Sequence, residues 1–375
     1  MNKFKAHIID TTLPGGGYAQ TALADINNDG KLEFITGRSY SDIYYYKYHT
    51  PEKWDRYLLG INSPSDVGAV VMDVDGDGWL DFVTGGAWYK NSRQDGILFE
   101  KIVFDPELKS VHDVVVADID GDGAGEIITM SDQNDLRWYK IPEDPHRPWP
   151  FIRIGDPVHA GATVGDITGN GSLDVIRTNA WFENVKGDGT QWIEHPLPFP
   201  LQNKELLTQP FMVNATQAVV CDMNQDGHND IVMVENEMTG GKLFWFENIK
   251  GDGSEWVRHD IVLPGKPIRG AYHNIWVGDL DSDGDLDITS CEMEDIRGET
   301  PPRYFIWENV DGKGLEWKEH VILDVNLGGH AFMVGDITGN GNPDIISKPW
   351  WPWSDNAVGG KTFVLFLENL GEGKE

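Results

Sequence analysis

The sequence predicts an all-β fold, a seven-bladed β-propeller that makes one domain of residues 1–375, and three observations carry that reading. Apolar stretches are short and end in turns, an acidic loop recurs seven times, and its period leaves room for four strands per unit. The 43 glycines, 20 prolines and 15 tryptophans suit many brief strands joined by tight turns, and long amphipathic helices are not visible.

The recurring loop is nine residues long, with Asp or a small polar residue at alternate positions, Gly at the sixth and an acid at the ninth. Copies begin at Asp25 (DINNDGKLE), Asp73 (DVDGDGWLD), Asp118 (DIDGDGAGE), Asp166 (DITGNGSLD), Asp222 (DMNQDGHND), Asp279 (DLDSDGDLD) and Asp336 (DITGNGNPD). Successive starts lie 48, 45, 48, 56, 57 and 57 residues apart, the size of a propeller blade. In the third unit VVVAD reads as strand A, the acidic loop as the A–B turn, IITM as strand B, LRWYK as strand C and FIRIG as strand D. Later units carry WFENVKGDGTQWIEH, WFENIKGDGSEWVRH and WENVDGKGLEWKEH, each a strand C, a Gly-containing hairpin and a strand D. The N-terminal FKAHIID resembles these D strands, and the C-terminal KTFVLFLENL resembles a C strand with nothing after it. The first strand is therefore expected to complete the last blade, which removes exposed sheet edges.

Charge narrows the partners. The 61 acidic against 30 basic residues give a formal charge of −31, which repels phosphate backbones and anionic lipid, so neither nucleic acid nor membrane is expected as a partner. Cys221 and Cys291 fall at different repeat positions and read as small buried apolar residues, not a disulfide. The opening MNKFKAHIID has no seven-residue apolar core and no stretch approaches eighteen apolar residues, so no signal peptide or membrane span is expected. A cytoplasmic monomer fits these features, and a secreted protein whose leader had been trimmed away would fit them equally.

In the acidic loops, side-chain oxygens at positions 1, 3, 5 and 9 supply the hard ligands that calcium prefers. Five copies have the full set: Asp25, Asn27, Asp29 and Glu33; Asp73, Asp75, Asp77 and Asp81; Asp118, Asp120, Asp122 and Glu126; Asp222, Asn224, Asp226 and Asp230; Asp279, Asp281, Asp283 and Asp287. The copies at Asp166 and Asp336 put Thr and Asn at positions 3 and 5 and lose two charges each. The same side chains also cap turn amides without metal, so the loops are expected to be structural in either case.

The other face is expected to hold the functional site. Strand A lines the channel, so its first residue lies away from the acidic loops; those positions are Tyr18 or Gln20, Asp66, His112, His159, Gln217, His273 and His330. Four of the seven are histidine, where 11 histidines in 375 residues would give roughly 3% by chance. Asp113 and Asn274 sit beside two of them. Converging imidazoles ligate a divalent metal or act as acid and base. The ends of strand B emerge on this face too, with Arg38, Trp88, Asp132, Asn179, Trp181, Glu235, Glu292, Glu294, Lys348 and Trp350 as an outer ring. Tryptophan faces among polar groups suit a carbohydrate, although Trp88 and Trp181 also read as inter-blade packing. Trp350, Trp351 and Trp353 lie in KPWWPW, where two prolines break the strand.

The acidic repeat resembles the FG-GAP and VCBS family of propellers, which includes integrin α-subunits and many bacterial members, over essentially the whole chain. HDVVVADIDGDG, HNIWVGDLDSDGD and GGHAFMVGDITGNG look like the carbohydrate-active members, such as rhamnose–glucuronate lyases and the propeller of aldos-2-ulose dehydratase. The resemblance implies a lyase or dehydratase acting by β-elimination on a uronic-acid glycan or keto-sugar. His112, His159, His273 and His330 would supply base or metal ligand, Arg38 and Lys348 electrostatic help, and Asp66 or Asp113 orientation. Tyr18, Gln20, Trp88, Asp132, Trp181, Gln217, Asn274 and Trp350 would contact substrate. The alternatives are a non-catalytic glycan- or protein-binding propeller, as in integrins, and a sugar hydrolase or isomerase.

Overall fold

The structure is a computed structural model and describes residues 2–198, 216–235, 238–262, 265, 267–294 and 297–371. Among them every regular element is a strand, and 28 strands form seven four-stranded antiparallel sheets. Six sheets run A-B-C-D in chain order, as in blade 3 with Val111–Ala117, Glu126–Ser131, Leu136–Tyr139 and Phe151–Gly155. The seventh takes strands Ala331–Gly335, Asp344–Lys348 and Val364–Asn369 from the end of the chain and Phe4–Asp10 from its beginning. Phe4 pairs with Asn369 and His7 with Phe366, so the ring is closed by the N-terminal strand as the sequence predicts.

Blades pack face to face. The seven buried apolar clusters each join two neighbouring blades, such as Trp245 and Val232 of blade 5 against Tyr272, Phe305 and Trp307 of blade 6. The cluster of Tyr18, Phe34, Tyr46, Ile346 and Phe366 joins blade 7 to blade 1 and completes the circle. Strand A of each blade lines the axis, where space is tightest. A Cβ on Gly165 of blade 4 would lie 2.3 Å from Val220 Cγ1 of blade 5, so only glycine lets the two strands approach there.

The acid at the ninth loop position builds the blade. It is at most 1% exposed in all seven blades. In blade 5, Asp230 accepts the Met223 amide at 3.0 Å with one oxygen and the Asn248 amide at 2.9 Å with the other, tying the A–B loop to the end of strand C. Asp81, Asp174, Asp287 and Asp344 make the same double contact, to Val74 and Asn91, Ile167 and Asn184, Leu280 and Asn309, and Ile337 and Asn369. The asparagine amide then reaches the preceding blade, as Asn248 Nδ2 donates to Ile167 O at 2.8 Å and Asn184 Nδ2 to Ile119 O at 2.8 Å. A residue that the sequence offers as a calcium ligand is thus a buried acceptor of backbone N–H groups, which would otherwise be orphaned in the core.

Removal of residues 2–10 strips the outer strand from blade 7 and should lower the melting temperature by at least about 5 °C, given that each kcal/mol moves the midpoint by a few degrees. A melting curve that coincides with that of the full chain would count against closure.

Candidate functional site

The four histidines converge. His112 and His273 lie in the A strands Val111–Ala117 and Tyr272–Gly278, while His159 and His330 precede theirs. The His112 and His159 rings are 4.4 Å apart, His273 stacks on His330 at 3.6 Å, and His112 and His273 are 6.0 Å apart. His112, His159 and His330 share a cavity of about 180 Å³ with Asp66, Val67, Met293 and Trp350. A second cavity, about 240 Å³, runs down the axis past His112, Asp113, Gln217, His273 and Asn274.

Carboxylates hold two of the rings. Asp113 lies 3.2 Å from His112 Nδ1, and Asp132 places both oxygens 3.1 Å from His159 Nδ1. Burial alone would raise the Asp113 carboxyl, but His112, the Ala162 amide and His159 together hold it below the usual aspartate value. His330 differs from these two. It is 5% exposed, its Nδ1 has no hydrogen-bond partner among the described residues, and its backbone amide donates to Lys348 O. Burial first, then His273 and Lys348, keep its proton affinity well below that of an ordinary imidazole, so it is neutral at pH 7.

Around this centre the outer ring is rearranged. Asp132, read as a substrate contact, orients His159, whereas Asp66 accepts the Ser39 hydroxyl at 2.6 Å and lines the cavity beside His112 and His159. Trp350 does reach the cavity, its ring 5.0 Å from that of His330. Glu294 fixes this corner by accepting the Trp350 and Trp351 amides, a contact that nothing in the sequence signals. Trp351 is 52% exposed at the rim, while Trp353 is packed in the core between blades 6 and 7.

Several expected contacts are buried instead. Trp88 and Trp181 belong to the C strands Ala87–Lys90 and Ala180–Asn184, not to the ends of strand B, because the B–C turns of blades 2 and 4 are only two residues long. Both lie in inter-blade cores. Tyr18 is fully buried with its hydroxyl donated to Pro14 O, and Gln20 donates to Arg38 O and Ser65 O. The Arg38 guanidinium donates to Gly16 O and Ser41 Oγ beside the mouth. Lys348 is buried, with its ammonium donated to Tyr18 O. Its charge acts on the mouth through the field it sets at His330.

The acidic loops close on themselves at the opposite face. Position 1 accepts the amides of positions 5 and 6 in every copy, as when Asp222 takes Asp226 N at 2.9 Å and Gly227 N at 2.9 Å. Among the described residues, three or more ligand atoms lie within 4.8 Å of one another at Asp73–Asp75–Asp81, Asp118–Asp120–Asp122 and Asp279–Asp281–Asp287. The four histidines are not gathered in such a set.

The molecule is a seven-bladed β-propeller that carries FG-GAP-like repeats, matched at residues 25–84 and 222–290, the stretches around the first, second, fifth and sixth acidic loops. Its fold is similar to that of BBS1N solved in complex with ARL6DN and soaked with mercury, at 10% identity and TM-score 0.57, with 100% of this chain and 99% of that chain covered. A lead-soaked crystal of the same complex gives 10% identity, TM-score 0.56 and 99% of each chain. Rhamnogalacturonan lyase YesW is similar at 14% identity and TM-score 0.44, over 98% of this chain and 69% of that chain. At 10% identity the likeness to BBS1N is one of fold. No curated protein matches the sequence. Among the described residues no helix is long and apolar enough to cross a membrane.

Lys348 gives the mouth a measurable signature. Burial brings its ammonium down to about 7, with Glu294 and Cys291 pulling the other way. An unfolded lysine titrates near 10.5, so between those values the unfolded chain binds a proton that the folded one lacks. The stability contribution is present above about 10.5 and is lost as pH falls towards about 7. Lys348→Met should therefore show a smaller rise in urea midpoint between about pH 7.5 and about pH 9.5 than the parent. Equal rises in the two proteins would contradict a buried, deprotonating lysine.

Proposed function

We propose that the histidine-lined mouth is the active site of a carbohydrate lyase or dehydratase that works by β-elimination, with an uncharged keto-sugar favoured over a uronic-acid glycan. The observation that carries the reading is the convergence of imidazoles from four blades into one cluster, three of them lining one cavity, two held by carboxylates and one, His330, kept neutral. A neutral imidazole can take the proton α to a carbonyl. A ring anchored through Nδ1 to a carboxylate can carry a proton at Nε2 and deliver it to the departing oxygen. His330 is assigned as base, and His112 with Asp113 and His159 with Asp132 as proton donors. The C–H proton passes to His330, the electron pair forms the C=C bond conjugated to the carbonyl, and the β C–O bond breaks with its oxygen protonated. The ionisable side chains lining the cavity besides the histidines include Asp66, which disfavours an anionic sugar and supports the keto-sugar. Trp350 offers an aromatic face for the C–H side of a sugar ring.

A protein-binding role is the second reading. It draws on the similar propeller BBS1N, whose solved structure contains ARL6DN.

The two readings separate in a screen of keto-sugars and uronic-acid glycans followed by near-ultraviolet absorbance, which reports the conjugated product. His330→Ala and His112→Ala should each lower kcat/KM by at least about 10²-fold, the usual worth of a general acid or base, with melting temperature nearly unchanged. Binding without an absorbing product, and histidine variants that lose affinity alone, would establish the binding module in place of the enzyme.

A further inference from the structure

The acidic loops do not all fit the calcium that their sequence implies. One side chain near the end of strand C divides the blades into two groups. It is Lys47, Lys90 and Lys140 in blades 1, 2 and 3, and Glu183, Glu247, Glu308 and Glu368 in blades 4 to 7. In blade 3 the Lys140 ammonium lies 2.7 Å from Asp120, 2.6 Å from Asp122 and 2.8 Å from Glu126, three of the four residues that would hold the ion. In blade 2 Lys90 pairs with Asp75 and, at 3.2 Å, with Asp77, which Arg93 also engages. In blade 1 Lys47 stands 3.3 Å from Asp29 and 3.2 Å from Asp95. The glutamates of the other group carry the opposite charge and are matched from strand D by histidines: Glu183 by His195, Glu247 by His259, Glu308 by His320 and Glu368 by His7, at 2.6 to 2.9 Å.

We infer that Lys47, Lys90 and Lys140 are covalently attached counter-ions that take the cation's place in blades 1–3, so those three loops do not bind calcium although they carry the acidic pattern. An ammonium on a four-carbon stem is a compact point charge with three donors, and it can satisfy several carboxylates at once. Divalent ions bind by displacing competing cations from carboxylates, and a cation tethered in the same chain competes at a high effective concentration. Any calcium capacity of the seven loops is then confined to the blades that carry glutamate. Among these, the Asp222 and Asp279 loops alone keep the full acidic set.

Calcium titration of the chelator-stripped full chain counts the sites directly. The expected stoichiometry is at most four per chain, since seven loops less three closed ones remain, and five or more would overturn the inference. Lys140→Met and Lys90→Met should each melt below the parent in chelator, regain the loss in millimolar calcium, and bind one additional ion. Lys140→Arg, which retains the charge, should gain none. If Lys140→Met does not fold in chelator, recovery of its folding by added calcium supports the inference. Lysine-to-methionine variants that fold and bind no more calcium than the parent would refute it, as would a methionine variant that calcium fails to restore.

Discussion

The buried carboxylate at the ninth loop position is the contact on which the blade depends. Each one accepts an amide from its own loop, and five also take the amide of an asparagine at the end of strand C. The second contact recruits an asparagine whose side chain can extend to the neighbouring blade, so a single acid organises turn, sheet and inter-blade seam together. Placing a carboxyl there is costly, and burial raises that of Asp230 to about 7 despite two amide donors. The exception explains itself by length. Blades 1 and 3 use Glu33 and Glu126, whose longer arms reach Asn27 and Lys140 in place of a C-strand amide.

The far end of strand A carries different residues from blade to blade. Loop order is settled at one face by contacts that repeat in all seven blades, while the start of strand A ranges from the buried Tyr18 and Gln20 to the clustered histidines. Histidine occupies four of these positions, and the ring geometry of the propeller turns residues from distant parts of the chain into one cluster. The histidine cluster and the loop contacts thus lie a strand length apart, which is why a fold shared with BBS1N leaves the role of the mouth to the mouth's own side chains.

Fold and closure were legible because they rest on local periodicity: a nonapeptide with a fixed glycine, short apolar runs, and a first segment shaped like a missing strand. The histidine cluster was legible because four copies of one repeat position share a residue type. What the sequence misplaced depends on the length of the B–C turn. Counting outward from strand B puts Trp88 and Trp181 at the mouth, but two-residue turns return the chain at once and bury them. Tyr18 and Gln20 were misread for a related reason, since whether a side chain at a strand end faces the axis or the next blade depends on twist and bulges that no pattern records. The counter-charges of the acidic loops were invisible in the same way, because Lys140 meets Asp120 only through the register between strands.

Ring closure by the N-terminal strand also bears on how the chain is made. Phe4 finds Asn369 about 365 residues later in the sequence, so the strand that closes the ring is synthesised long before its partner and waits for it. Until then an emerging chain presents two unpaired sheet edges, along with the apolar faces of blades 1 and 7 that Tyr18 and Phe366 later fill. Contacts of such sequence separation form slowly, and open intermediates of this kind are the species that associate. The formal charge of −31 acts on those intermediates as well as on the finished ring, keeping half-closed molecules apart while the last blade is assembled.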